Sequence, residues 1–205
     1  MRKSFNPRIG GDRMRFGDGA KAASIRPDGS VFIAGMPEDA AGFLPFGWLN
    51  FALFSKNGIK QLESQAPNLV VNQGKNDFLN TYFVDGTQIA STSWFMGLIV
   101  DTGFTGIVAG DTAASHAGWA EFTSYSQSTR VVWGQGAPST GVTTITNASP
   151  VTFDITGTGT LKGGFIISQS TKGGTSGKLW AAALFASPVP VNNGDQMKCT
   201  YNLSC

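Results

Sequence analysis

Histidine and cysteine are scarce in this chain. Its 205 residues include one histidine, His116, and two cysteines, Cys199 and Cys205. Structural zinc sites use about four Cys or His ligands, so this composition nearly excludes a site of that kind. Ser115 beside His116 does not make a catalytic triad, because adjacent side chains diverge and a triad needs a third, orienting acid. We expect His116 to hold an ordered loop through a hydrogen bond.

Carboxylates are also few, and none lie at the close spacing that would indicate a paired acid and base. Asp101, Asp111 and Asp195 lie near glycines and are predicted to be turn residues, with calcium binding as the alternative. The sequence therefore predicts no catalytic residue, no metal site and no cofactor. We expect that the protein is not an enzyme; a glycan depolymerase, with two distant carboxylates brought together by folding, is the alternative.

Long apolar runs are missing as well. The longest, residues 94–100 and 179–185, are far shorter than the roughly 20 residues of a membrane span. The start of the chain has no apolar segment of the kind that a secretory signal needs. We therefore expect no membrane partner, and a protein that is made and assembled in a cytoplasm.

The two cysteines are close in sequence but are not predicted to be bonded. If Cys199 and Cys205 share one extended strand, their Cα atoms lie roughly 20 Å apart. A disulfide needs Cα atoms within about 7 Å. Free thiols on a buried face are therefore predicted, unless the C-terminus folds back.

A period of two in hydrophobicity is what the sequence does contain, most clearly at its C-terminus. There the apolar residues Met197, Cys199, Tyr201, Leu203 and Cys205 alternate with polar ones. This alternation is typical of a half-buried strand, and the 27 glycines suit tight turns between many short strands. The fold class predicted is mainly β: an antiparallel, jelly-roll-like β-sandwich with one short helix and an extended N-terminal arm.

The sequence also predicts where these elements lie. The strands are predicted at residues 48–54, 59–63, 93–100, 122–133, 142–145, 151–156, 160–168, 178–184 and 196–204. The run at 93–100 is predicted to be a central strand covered on both faces. The helix is predicted at residues 75–83, with Phe78, Leu79, Tyr82 and Phe83 on one face. Asn72 or Asn76 is its predicted N-cap, and Asp85 with the following glycine ends it.

Residues 1–47 differ from the remainder in composition and are predicted to be an extended docking arm with one or two added strands; residues 48–205 form the β-sandwich domain. Residues 1–27 contain seven basic and two acidic side chains, a net charge of +5. Because the whole chain carries +2, the remainder carries −3. Seven basic residues spaced by Gly and Asp are a weak phosphate footprint, so a protein partner is favoured over nucleic acid. An unstructured tail is the alternative.

Basic and aromatic side chains of the arm, with three tryptophans of the domain, are the candidate partner-binding residues. Most aromatic residues lie within apolar runs and are predicted to be core, whereas these three tryptophans are predicted to be exposed or at subunit contacts. The candidates are Arg2, Lys3, Phe5, Arg8, Arg13, Arg15, Phe16, Phe43, Phe46, Trp119, Trp133 and Trp180.

Several long stretches resemble a known family. They are residues 110–122 continuing through 125–130, then 167–180 and 191–201, with 68–77 in addition. Together they resemble small β-rich virion structural proteins of tailed bacteriophages, which include head-decoration and tail proteins. The resemblance covers about residues 62–205, while residues 1–47 depart from it.

The resemblance implies a non-enzymatic structural component of a virion that decorates or cements the capsid surface. It implies a homotrimer that contacts other virion proteins, either the major capsid protein or portal and tail proteins. The alternative is a tail, collar or fibre component near the portal that contacts host glycans through exposed aromatic residues. No catalytic motif is carried over from the family.

Overall fold

The computed structural model describes residues 45–138 and 143–204, together with the backbone of two short strands, β1 (Ala23–Ile25) and β2 (Val31–Ile33). The chain divides into two compact units, one of residues 1–44 with residue 205 and one of residues 45–204. In the first unit, β1 and β2 pair antiparallel, with Ser24 opposite Phe32.

The second unit is built mainly from antiparallel strands, and within the described residues it contains one α-helix. Its elements are β3 (Phe46–Phe54), β4 (Lys60–Val70), α1 (Asn72–Phe83), β5 (Phe95–Val100), β6 (Ala120–Phe122), β7 (Val131–Val132), β8 (Thr144–Thr146), β9 (Val151–Asp154), β10 (Gly159–Ile167), β11 (Leu179–Val191) and β12 (Gln196–Ser204). The mainly β, antiparallel fold with one helix is thus confirmed. A sandwich is compatible with it, and the jelly-roll connectivity remains a prediction.

The strands form one curled sheet because β4 changes partner along its length. The order is β6-β5-β10-β11-β4-β3-β12-β8, with β7 beside β5 and β9 beside β12. Lys60–Pro67 of β4 pair with β3, whereas Asn68–Val70 pair with β11. The two parts of the sheet share one core, in which the rings of Phe51 and Phe185 stack with centroids 3.8 Å apart.

Alternation places the predicted residues of β12 in this core. Met197, Cys199 and Tyr201 are buried, while Lys198 and Thr200 between them are half-buried. The Tyr201 hydroxyl accepts hydrogen bonds from Asn68 Nδ2 at 2.6 Å and from Trp180 Nε1 at 3.1 Å. The hydroxyl oxygen thereby ties β12 to β4 and β11.

The apolar run at 93–100 is a central strand, as predicted. β5 lies between β10 on one side and β6 and β7 on the other. Met96 and Leu98 belong to the main core, whereas Ile99 faces a second cluster beneath the loop that carries Trp119. Burial on both faces explains why this segment is apolar throughout rather than alternating.

The strands predicted at residues 59–63 and 178–184 are too short, because β4 continues to Val70 and β11 to Val191. Two further element predictions are wrong. Residues 122–133 are not one strand: β6 and β7 occupy the ends, and the polar segment between them forms a loop whose Arg130 N–H bonds to Ser170 O. The helix begins at Asn72 and neither asparagine caps it, since Val71 is the N-cap and makes no side-chain cap bond. The predicted end is confirmed, because Asp85 adopts φ 54° and Gly86 N–H bonds to Asn80 O.

Cys199 is a free, buried thiol of β12, and Cys205 lies outside the described residues. Burial raises the pKa of Cys199 from 9.0 to about 12. At pH 8 the thiolate fraction of the folded protein is therefore roughly a thousand-fold smaller than that of an unfolded chain.

In a Cys205→Ser variant, we expect Ellman's reagent to label Cys199 only after denaturation, and rapid labelling of the native protein would contradict its burial.

The same pKa shift determines how the stability of the folded protein changes at alkaline pH. Below about pH 9 the thiol is neutral in both states, and its contribution to stability is fully present. Above that pH the unfolded chain loses the proton first, so this contribution is lost as the pH rises from about 9 toward 12. Burial also raises the pKa of Tyr201 and of Tyr125, whose shift has a further contribution from the charge of Glu121. The contributions of both tyrosines to stability are therefore also lost as the pH rises.

Candidate functional site

Of the candidate contact residues of the arm, Phe46 alone lies within the described part of the chain. Arg2, Lys3, Phe5, Arg8, Arg13, Arg15, Phe16 and Phe43 lie outside the described residues. Phe46 is half exposed and packs edge-on against Trp48, with ring centroids 5.2 Å apart. Phe46 and Gly47, which the sequence analysis places in the arm, are the first two residues of β3 and pair with β12.

The predicted exposure of Trp119, Trp133 and Trp180 is wrong, because all three are buried. Each indole N–H has an internal acceptor. Trp119 donates to Asp111 Oδ2, Trp133 to Asn147 Oδ1, and Trp180 to the Tyr201 hydroxyl. A tryptophan whose polar edge is satisfied in this way fits in a core, so these three residues are removed from the candidate surface.

An exposed apolar surface lies instead on the last turn of α1. Leu79, Tyr82, Phe83 and Val84 are exposed to 50%, 66%, 72% and 67%. We call these four residues the α1 ridge. Phe78, predicted on the same face, packs against the core. Large exposed apolar side chains grouped in this way are rare on proteins that function as monomers and mark interaction sites.

Sequence reasoning found the ridge residues but missed their exposure. The pattern at 78, 79, 82 and 83 predicts a helical face, and such a face normally packs on the core. In the structure α1 is anchored by its first turn. Gln73 Oε1 accepts hydrogen bonds from the backbone N–H groups of Ala113 and Leu179, at 2.9 and 2.7 Å. Val84, which directly follows the helix, extends the exposed apolar surface beyond the predicted face.

A second apolar surface feature is a groove between the β3–β4 hairpin and the C-terminal part of β11. Its volume is about 510 Å³. It opens where β11 continues past Ala183 after the pairing with β4 has ended at Asn68. We call it the β11 groove. Its apolar lining residues are Phe51, Leu53, Leu62, Pro188, Val189 and Pro190.

Exposed charged residues lie near the ridge and on the hairpin beside the groove. Asp85 directly follows the ridge and is exposed. Lys56 and Lys60 lie on the hairpin that forms one wall of the groove and are also exposed, with Lys60 paired to Glu63 at 2.6 Å.

A cavity of about 530 Å³ is the other prominent concave feature, lined by parts of the 110–122, 125–130 and 167–180 stretches, including His116, Glu121, Arg130 and Gly174. Arg130 Nε and Nη2 donate to the two carboxylate oxygens of Glu121, at 3.0 and 2.8 Å. The Gly173 N–H also donates to Glu121, while Gln169 O and Gly174 O accept from Arg130. Both charged groups of the ion pair thus have hydrogen-bond partners within the protein. The bonds join the loop that contains Arg130 to the loop that contains Gln169 and Gly174.

His116 has the structural role that the sequence predicts. Its Nδ1 lies 3.0 Å from Trp119 O, and its ring stacks on the Trp119 indole with centroids 3.9 Å apart. The loop that carries both residues is thereby held over the second core cluster.

The carboxylates of the turns are likewise engaged. Asp111 Oδ2 accepts from Val108 N–H at 3.0 Å, and Asp195 Oδ2 accepts from Asn192 N–H at 2.8 Å, as predicted for turn residues. Within the part of the chain that the structure describes, no three His, Cys, Asp or Glu side chains are grouped as metal ligands. No helix of that part is long and apolar enough to cross a membrane.

Comparison with known proteins gives no match. No protein-family model, curated protein or solved structure matches this chain.

Proposed function

We propose that this protein is a non-enzymatic structural component of a tailed-phage virion that decorates or cements the capsid surface as a homotrimer. The observation that supports this proposal is the α1 ridge, whose four large apolar side chains are exposed. A component of this kind is stabilised by burying such surface against neighbours, at about 25 cal/mol per Å². The resemblance of residues 62–205 to virion proteins supports the same assignment.

The form of the two apolar features favours a ring of copies. The ridge is convex and the β11 groove is concave, so the contact that joins them uses two different surfaces. A contact between two different surfaces is heterologous. It generates a closed ring when the rotation between neighbouring copies, repeated from copy to copy, returns to the first copy. We propose that the ridge of one copy enters the groove of the next, which in a homotrimer gives three identical contacts.

Replacement of Tyr82 and Phe83 by serine is expected to convert the trimer into monomers, because the variant loses the apolar surface that the contact buries. Size-exclusion chromatography with light scattering measures the mass. The matched control carries Val108→Ser and Val132→Ser, which alter two exposed valines outside the ridge and the groove. A wild-type monomer, or a trimer that survives the Tyr82 and Phe83 replacements, would contradict the proposal.

A mixing experiment separates this contact from a symmetric one. Leu62→Arg places a charge in the groove and is expected to give monomers as well. A mixture of this variant with the Tyr82→Ser/Phe83→Ser variant retains one intact ridge and one intact groove. We expect heterodimers from the mixture and no larger species, whereas a symmetric ridge-to-ridge contact predicts no heterodimer.

The location in the virion is tested by copy number. A capsid decoration protein is present at on the order of hundreds of copies per particle, and a tail, collar or fibre component at about a dozen. Quantitative mass spectrometry of purified particles distinguishes the two.

A chain that lacks residues 1–44 is expected to fold and yet fail to join particles, and its normal incorporation would count against a docking arm.

A further inference from the structure

Two asparagines of the chain, Asn57 and Asn193, are followed directly by glycine. Both asparagines are exposed and lie in turns of the second unit. An Asn-Gly pair is chemically labile, because glycine has no Cβ to shield its backbone nitrogen from the asparagine side chain. Since both sites contain the same reactive dipeptide, a large difference between their reactivities depends on how the structure holds each turn.

The turn that contains Asn57 closes the hairpin between β3 and β4 and is held by bonds within residues 55–59. Gly58 N–H donates to Ser55 O, and Ser55 N–H donates to Ile59 O, both at 2.8 Å. Gly58 has φ 75°, which suits the last residue of a three-residue hairpin loop. A Cβ at Gly58 would meet no described atom within 4 Å. Within the described part of the chain, the Asn57 amide has no hydrogen-bond partner, so neither reacting group is enclosed.

The turn that contains Asn193 is tied to the segment that follows β9. Gly194 N–H donates to Ile155 O at 2.8 Å, so the nitrogen that would react is bonded outside its own turn. Ile155 N–H donates in return to Asp195 O at 2.8 Å, and the Asp195 side chain is buried. Freeing the Gly194 nitrogen therefore separates the turn from Ile155, whereas freeing the Gly58 nitrogen opens the end of the hairpin alone.

We propose that Asn57 is a site of spontaneous deamidation and that the fold protects Asn193 from the same reaction. An exposed turn held by its own bonds opens at a lower free-energy cost than a turn bonded to another segment. Each opening releases Gly58 N–H from Ser55 O and lets the nitrogen approach Asn57 Cγ. The β11 groove is not lined by Asn57, so this proposal goes beyond the structural function above and does not depend on it.

The reaction exchanges ammonia for water. Hydroxide removes the proton from the Gly58 backbone nitrogen, and this nitrogen attacks Asn57 Cγ. A bond forms between the two atoms as the Cγ–Nδ2 bond breaks, and Nδ2 leaves as ammonia with a proton taken from water. Water then opens the resulting cyclic imide at either of its carbonyl carbons, which gives aspartate or isoaspartate. The hairpin thereby gains a carboxylate near the exposed Lys56 and Lys60.

The test compares the two sites in the same full-length chain. The protein is incubated at mildly alkaline pH, once folded and once in guanidinium chloride, and is then digested with chymotrypsin at mildly acidic pH. Mass spectrometry of the peptides follows the loss of Asn57 and of Asn193. In the folded protein we expect Asn57 to react at least about fivefold faster than Asn193, because its turn opens more readily. In guanidinium chloride we expect the two rates to agree within about twofold, because no turn is formed there.

Two variants assign the reaction to its site. Asn57→Gln is expected to remove the fast product, since glutamine would have to close a larger, six-membered ring. Asn193→Gln is the matched control, at the other exposed Asn-Gly turn, and is expected to leave the rate at Asn57 unchanged.

Three results would overturn the proposal. One is a folded protein in which Asn57 stays intact while the denatured chain reacts at both sites. Another is a ratio of the two rates in the folded protein below about fivefold, which would mean that the bond to Ile155 gives no special protection. The third is a ratio in guanidinium chloride as large as the one in the folded protein, which would place the cause in the neighbouring residues of the sequence.

Discussion

Replacing Arg130 with methionine is expected to lower the free energy of unfolding by about 3–5 kcal/mol. The side chains of Arg130 and Glu121 are exposed by only 3% and 5%. Methionine fills similar space but leaves the Glu121 carboxylate buried with the Gly173 N–H as its remaining donor. One unpaired buried charge destabilises the folded state by more than the intact ion pair stabilises it. Removing a single partner therefore causes a large loss of stability. Urea denaturation at pH 7 measures the change.

Two further variants test that reasoning. Glu121→Gln combined with Arg130→Met removes both charges, and this double variant is expected to be more stable than Arg130→Met alone. Lys162→Met removes the partly exposed ion pair of Lys162 with Asp101, whose charged atoms are 3.8 Å apart. That loss is expected to be under about 1 kcal/mol, because solvent reaches and screens both charges. Equal losses in the free energy of unfolding for Arg130→Met and Lys162→Met would contradict the larger cost expected for breaking the buried pair.

Replacing Trp119 with alanine is expected to lower the free energy of unfolding by about 3–5 kcal/mol, the usual cost of deleting a large buried aromatic side chain. The indole packs against Phe165, with ring centroids 5.1 Å apart, and against the His116 ring. Its removal leaves a cavity beneath the 104–119 loop and takes a donor from the buried Asp111 carboxylate. The sequence-based prediction of an exposed Trp119 gives the opposite expectation, a change of at most about 0.5 kcal/mol.

The control for this prediction is Phe46→Ala. Phe46 is half exposed at the start of β3, so its loss is expected to cost well under half as much as the loss of Trp119. Both variants are compared by chemical denaturation, with coincident transitions by fluorescence and circular dichroism as the check on two-state behaviour. A Trp119→Ala variant as stable as Phe46→Ala would mean that the 104–119 loop does not cover the second core cluster.

The predictions that succeeded concern segments in which one local rule and the tertiary environment agree. β12 alternates, and one of its faces is buried; β5 is apolar throughout, and both of its faces are buried. Asp85 and Gly86 end α1 because they supply the backbone conformation and the N–H that the last turn needs. In each case the cause lies within a few residues of the effect.

The predictions that failed concern residues whose partners are far away in sequence. Residues 122–133 contain enough β-forming side chains to predict a strand, yet Arg130 is held by carbonyl groups of the 168–178 loop, 39 and 44 residues away. Gln73 anchors the start of α1 through N–H groups 40 and 106 residues away. No short window of sequence contains both members of such pairs.

The candidate sites show the same division. The apolar pattern of α1 identified the ridge side chains, but the direction in which the helix presents them depends on where Gln73 fastens it. The sequence did not predict the β11 groove, since it is enclosed by side chains from three strands. Trp133 and Trp180 are buried although they were predicted to be exposed, and both directly follow apolar residues, Val132 and Leu179, which is the local signal for burial that the prediction set aside.

The amino-acid sequence by itself determined that the chain forms short antiparallel strands and one helix, because periodicity and turn residues act over a few positions. Tertiary structure decided which apolar side chains are buried and which are left exposed on α1. Those outcomes depend on the closure of the curled sheet through β4, which brings together groups that the chain keeps far apart.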